Sequence, residues 1–145
     1  MKQYTDIEQS RKLANILDLD TADMHYNNIS ARGVNYTDPF RCELMPYLTA
    51  KNVLRYDIQS IINPMIEVIP CWSLAKLIDI LPIYLEPTHD NVRMRLMIDK
   101  AESGYEIWYE SCIRGFASEE LNVEESDFVD ACTNMILKLK ERNLI

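Results

Sequence analysis

The chain has 145 residues, 48% of them hydrophobic and 26% charged, which is ordinary usage for a folded globular protein and excludes a disordered, collagenous or low-complexity one. Asp and Glu number 23 against 15 Lys and Arg, for a net charge of −8. A field of that sign repels phosphate backbones and anionic lipid, so neither nucleic acid nor a membrane surface is an expected partner. Three glycines are too few for a fold built on a Gly-rich phosphate loop, and the length predicts a single domain over 1–145 that needs no metal or disulfide.

The opening MKQYTDIEQSRK lacks the apolar segment of a signal peptide. The longest apolar stretches, Met65–Ile69 and Leu77–Leu85, are interrupted by Glu67, Asp79 and Pro82, so no membrane span of about 18 residues is expected and the predicted location is cytoplasmic. Thr5-Asp6-Ile7-Glu8 has the form of a capping box. Ile7, Leu13, Ala14, Ile16 and Leu17 then recur at helical spacing, predicting a helix that ends by Asp18–Asp20. Thr21-Ala22-Asp23-Met24 reads as a second short turn capped by Thr21.

Residues 27–52 are punctuated by Asn27, Asn28, Gly33, Asn35, Asp38, Pro39 and Pro46, which is turn chemistry, with short strands near Val34–Thr37 and Cys42–Leu48. In Val53–Ile62, Leu54, Tyr56, Ile58 and Ile62 share one parity, the pattern of a half-buried strand. Met65–Ile69 is a short apolar run ended by Pro70. Leu74, Leu77, Ile78 and Leu81 predict an amphipathic helix capped by Ser73 and stopped by Pro82.

Val92–Asp99 and Tyr105–Ile113 alternate, with Gly104 between them available for a positive φ, and together they predict a β-hairpin. Val92, Met94, Leu96 and Ile98 face the core together with Tyr105, Ile107 and Tyr109. Arg93 and Arg95 oppose Glu106 and Glu110 on the solvent face. Ser118–Asp130 carries six acidic residues and no basic one, the composition of a solvated loop. The last helix is capped by Asp127, buries Phe128, Cys132, Met135, Ile136 and Leu139, and ends in cations that suit its dipole.

Candidate chemistry is sparse. Cys42, Cys71, Cys112 and Cys132 form no C-x-x-C pair, so zinc-ribbon and thioredoxin readings lack support and four reduced thiols are expected. The two histidines, His25 and His89, read as surface loop residues. The catalytic alternative is a small cysteine-dependent hydrolase or transferase, with Cys71 or Cys112 as nucleophile, His89 as base and Asp90 as orienter. Glu119, Glu120, Glu124 and Glu125 do not match a calcium loop, so no metal and no cofactor is expected. Trp108 falls on the charged face of the hairpin, where an indole serves either as an interface anchor or as the seat for a loop of its own chain. Trp108, Arg93, Arg95 and His89 are therefore the binding candidates.

Four stretches, MKQYTDIEQSRKL at the start, TADM at 21–24, PCWSLAKLIDILP at 70–82 and DACTNMILKLKERNLI at the end, resemble a group of short uncharacterised proteins of gut Bacteroidales bacteria, often found near prophage or mobile-element genes. The resemblance implies a small bacterial or phage-type cytoplasmic protein and carries over no catalytic residue. The order of elements predicts an α+β fold, a mostly antiparallel sheet with about three helices packed on one face. The expected function is a non-enzymatic interaction protein or accessory factor with another protein as partner, and homo-oligomerisation is left open.

Overall fold

Three helices and eight strands make up the described residues of the computed structural model, which are 1–29, 34–35, 40–41, 66–86, 92–113 and 117–145. In chain order they are α1 (Ile7–Ala14), a 3₁₀ turn (Leu19–Thr21), β1 (Met24–Ile29), β2 (Val34–Asn35), β3 (Phe40–Arg41), β4 (Ile66–Cys71), α2 (Leu74–Ile80), β5 (Tyr84–Leu85), β6 (Met94–Ala101), β7 (Gly104–Ser111), β8 (Ala117–Glu125) and α3 (Phe128–Glu141). All strand pairs are antiparallel, and the class is α+β. The strands form two sheets: β1 pairs with β2, β3 and β4, and β5-β6-β7-β8 follow in order. The chain divides into two compact units, Tyr4–Lys76 and Met1–Gln3 with Leu77–Ile145. The strands expected near Cys42–Leu48 and Val53–Ile62, and the loop with His89, lie outside the described residues.

In the first unit, α1 is capped by Asp6, not Thr5. The Asp6 carboxylate accepts from the Gln9 N–H at 2.9 Å, and the Gln9 side chain accepts from the Asp6 N–H at 3.1 Å. The cap moves one residue because Thr5 is engaged elsewhere. Its hydroxyl accepts from the Trp72 N–H (3.1 Å) and meets the Ser10 hydroxyl (2.8 Å), and its carbonyl accepts from the Tyr26 hydroxyl (2.6 Å). Thr5 and Ser10 are fully buried, so each polar atom needs such a partner.

The predicted turn at 21–24 is displaced by a 3₁₀ turn capped by Asp18, and Met24 already begins β1. Met24 and Tyr26 share a face with their register partners Cys71 and Ile69, and these four form a core on which Tyr4 and Ile7 pack. α1 packs against β4. Pro70 does not end β4 as expected but lies inside it. Among the described residues β4 pairs only with β1, and an edge strand tolerates a residue that cannot donate. Ser73 caps α2 as predicted, accepting from the Lys76 N–H at 3.2 Å, and is itself held by the Asp23 carboxylate through its N–H (2.8 Å) and hydroxyl (2.5 Å).

In the second unit the hairpin β6–β7 has the predicted parity. Leu96 stands opposite Tyr109 and Ile98 opposite Ile107, and Ile107 and Tyr109 are fully buried. The expectation that Ile98 is buried fails: it is 41% exposed, because α3 packs on β7 and β8 and its footprint does not reach that end of β6. Ile78 is likewise exposed, while Leu77 and Leu81 on the same helix are buried. The acidic stretch read as a loop is strand β8. Leu121 and Val123 have the strand period and turn inward, Val123 opposite Ile107; Glu124 alternates to the other face, while Glu125 keeps the inward parity, opposite Tyr105, and meets Asn134 of α3.

α3 is capped by Asp127, which accepts from the Val129 N–H at 2.9 Å, and buries Cys132, Met135, Ile136 and Leu139 against the sheet. Phe128 stacks on Tyr105 with ring centroids 4.8 Å apart. The helix ends in a Schellman motif: Asn143 takes φ +56° while its N–H reaches the Lys140 carbonyl and that of Leu144 reaches Leu139. Residues 1–3 close on the start of this helix, where the Lys2 N–H donates to Asp127 at 2.7 Å and the Lys2 ammonium pairs with Asp130 at 2.8 Å.

Candidate interaction surface

Alternation along β5–β8 sorts side chains onto two faces. One receives α3. The opposite face carries Tyr84 from β5, Arg93, Arg95, Met97 and Asp99 along the β6 chain, Glu106, Trp108 and Glu110 from β7, and Asn122 and Glu124 from β8, as the register requires. Trp108 stands at the centre, directly between Met97 and Asn122, and is half-buried.

The charges around it are unevenly spread: arginines pair with carboxylates at one end, and carboxylates gather at the other. At one end the Arg93 guanidinium lies 4.1 Å from the centroid of the Tyr84 ring and 3.9 Å from Glu86, and Arg95 reaches Glu110 at 2.9 Å. The expected Arg95–Glu110 cross-strand pair is therefore present, whereas Arg93 turns to Tyr84 and Glu86. Both arginines are about half-exposed, so each ion pair contributes roughly 0–1 kcal/mol. At the hairpin end stand Asp99, Glu106 and Glu124. Glu106 accepts from the Asn122 side-chain amide at 2.9 Å and Glu124 from the Ser103 hydroxyl at 3.1 Å.

A groove of about 400 Å³ runs between β8 and the flank of α3, where Asn122, Glu124, Glu125, Leu137, Lys138 and Glu141 line it. Three polar contacts tie strand to helix there: Asn134 to Glu125 (2.7 Å), the Lys138 ammonium to the Asn122 carbonyl (2.6 Å), and Arg142 to Glu120. Asn134, Lys138 and Arg142 are four residues apart and so share one helix face. The acidic composition of β8 hid this groove from sequence reasoning; the i, i+4, i+8 polar stripe was its one visible signal.

The cysteine candidates are not brought to a common site among the described residues. Cys71 and Cys132 are fully buried and Cys112 is exposed, all three as free thiols; Cys42 and His89 lie outside the described residues. Burial pushes the Cys71 thiol up to about 11 and the Cys132 thiol up to about 12, so both are held protonated, the opposite of what a nucleophile needs. Cys71 instead meets the Thr5 hydroxyl and carbonyl at 3.5 Å. His25 is not on a surface loop: it lies buried in β1, and burial holds its imidazole below the ordinary range. The described residues contain no cluster of His, Cys, Asp or Glu suited to a metal ion and no helix long and apolar enough to cross a membrane.

No protein-family model, curated protein or solved structure matches this chain.

Proposed function

We propose that this chain is a non-enzymatic interaction protein that contacts another protein through the outer face of the β5–β8 sheet, centred on Trp108. The observation that carries the reading is the placement of Trp108 midway between an aromatic, ion-paired end (Tyr84, with Arg93–Glu86 and Arg95–Glu110) and an acidic end (Asp99, Glu106, Glu124). A large amphipathic ring between a charge-balanced end and an acidic end supplies an anchor, and the acidic end supplies an orientation for a partner that presents a basic patch. The resemblance of four stretches to short mobile-element proteins supports an accessory role in a bacterial or phage setting, and the net charge of −8 supports a protein partner over nucleic acid or lipid.

The test is affinity capture from bacterial extract with three baits: the unmodified chain, Trp108→Ala, and Ile113→Ser as a control on an exposed apolar residue away from the face. The same stoichiometric protein should be retained by the first and third baits and lost by Trp108→Ala, with circular dichroism unchanged. Equal capture by all three would refute the assignment of this face.

A further inference from the structure

The β8 edge of the same sheet, whose Asn122 and Glu124 also stand on the Trp108 face, offers a second site through its backbone. β8 is the terminal strand in the order β5-β6-β7-β8, so among the described residues only its β7 side is paired. The Asn122 carbonyl accepts from the Lys138 ammonium at 2.6 Å and is thus turned away from β7. In an antiparallel ladder the N–H and C=O of one residue point to the same side and alternate along the strand. Glu124, two residues on, therefore turns its backbone outward as well, while Val123 pairs with Ile107. The groove beside this edge is bounded on its far side by the α3 flank.

The groove chooses its occupant by charge. Among the described residues that line it, Glu124, Glu125 and Glu141 outnumber the cation Lys138, and Glu119 and Glu120 extend the same strand. A second copy pairing β8 against β8 would set glutamate against glutamate, which is destabilising. Lys138 already shows what fits: an ammonium seated on an outward strand carbonyl.

We propose that the β8 edge and the α3 flank form a strand-addition site for an extended, lysine- or arginine-rich segment of a partner protein. Its backbone pairs with Asn122 and Glu124, and one of its cations displaces the Lys138 ammonium from the Asn122 carbonyl. Main-chain pairing supplies affinity in such sites and the alternate side chains supply selectivity; here the selectivity is for positive charge.

The probe is a capped octapeptide of alternating lysine and valine, titrated into the full ¹⁵N-labelled chain, with a glutamate–valine octapeptide as comparison. The basic peptide should shift the Asn122 and Glu124 amides and the acidic one should not. Glu124→Pro removes an outward N–H without touching the β7 ladder, so it should abolish binding while the Ile107 and Tyr109 resonances stay in place. Glu141→Lys should weaken binding roughly three- to tenfold. Lys138→Ala gives the sign that a purely structural role would not: it should lower thermal stability yet tighten peptide binding, and it decides the matter if Glu124→Pro does not fold. The proposal is overturned if the peptide fails to bind, if shifts spread over the acidic surface and ignore Glu124→Pro, or if Lys138→Ala weakens binding.

Discussion

Gly104→Ala tests the packing of the second unit at its tightest point. Gly104 has φ +154°, and a Cβ placed there would collide with the Glu125 carbonyl oxygen and lie 2.9 Å from the Glu125 carbonyl carbon and the Ser126 Cα. All three atoms are backbone, so no side chain can swing aside. The conformation costs a non-glycine residue about 1–3 kcal/mol, and parting β8 from β7 to admit a methyl group costs about 1–3 kcal/mol more. The sum, about 2–6 kcal/mol, is a large share of the roughly 5–15 kcal/mol that holds a domain folded. The opposing effect, loss of glycine's freedom in the unfolded chain, is only about 0.4–1 kcal/mol. Urea denaturation should be followed by Trp108 fluorescence in a Trp72→Phe background, so that the signal reports on β7. A loss below about 0.5 kcal/mol, or a gain, would mean that the φ is relaxed in solution and the close approach of β8 is absent.

Thr5→Val should cost about 1–3 kcal/mol, since it leaves the buried Trp72 N–H without its acceptor; thermal unfolding compared with Thr5→Ser, which keeps the hydroxyl, measures it. Asp127→Ala removes both the α3 cap and the acceptor of the Lys2 N–H, and should cost about 1–2 kcal/mol, against at most about 1 kcal/mol for Lys2→Ala, by chemical denaturation in low salt. Cys71 and Cys132 have folded thiols raised from 9.0 to about 11 and about 12, while the unfolded thiols ionise near the ordinary value. Their contribution to stability is intact below pH 9 and lost as pH rises toward those values, so Cys132→Ala should flatten the alkaline fall in stability measured by urea titration. Iodoacetamide at pH 8 should alkylate Cys112 before Cys71 or Cys132 in the folded chain, read by peptide mass spectrometry.

Legibility followed the strength of the local pattern. The β6–β7 hairpin, its parity and the use of Gly104 were readable because two alternating runs meet at a glycine. The Ser73 and Asp127 caps were readable because each precedes an apolar helical face. β8 was not: two inward residues among glutamates look like solvated chain until Ile107 supplies a partner across the ladder. The α1 cap slipped from Thr5 to Asp6 because Thr5 is claimed by Trp72, 67 residues away, a long-range demand that no local window contains. At the candidate surface, the Arg95–Glu110 pair and the position of Trp108 were legible from strand parity. The Arg93–Tyr84 contact was not, because β5 is two residues long and leaves no alternation to read.

The Lys2–Asp127 hydrogen bond joins residues 125 positions apart in the chain. During synthesis Lys2 is incorporated roughly 6–25 s before Asp127, at about 5–20 residues per second. Through that interval the first three residues have no α3 to close upon, while the partners of Thr5, Ser10 and Tyr26 are complete once Trp72 has emerged. Docking of residues 1–3 on α3 is therefore a late event in biogenesis, one that a chain stalled before Asp127 never reaches.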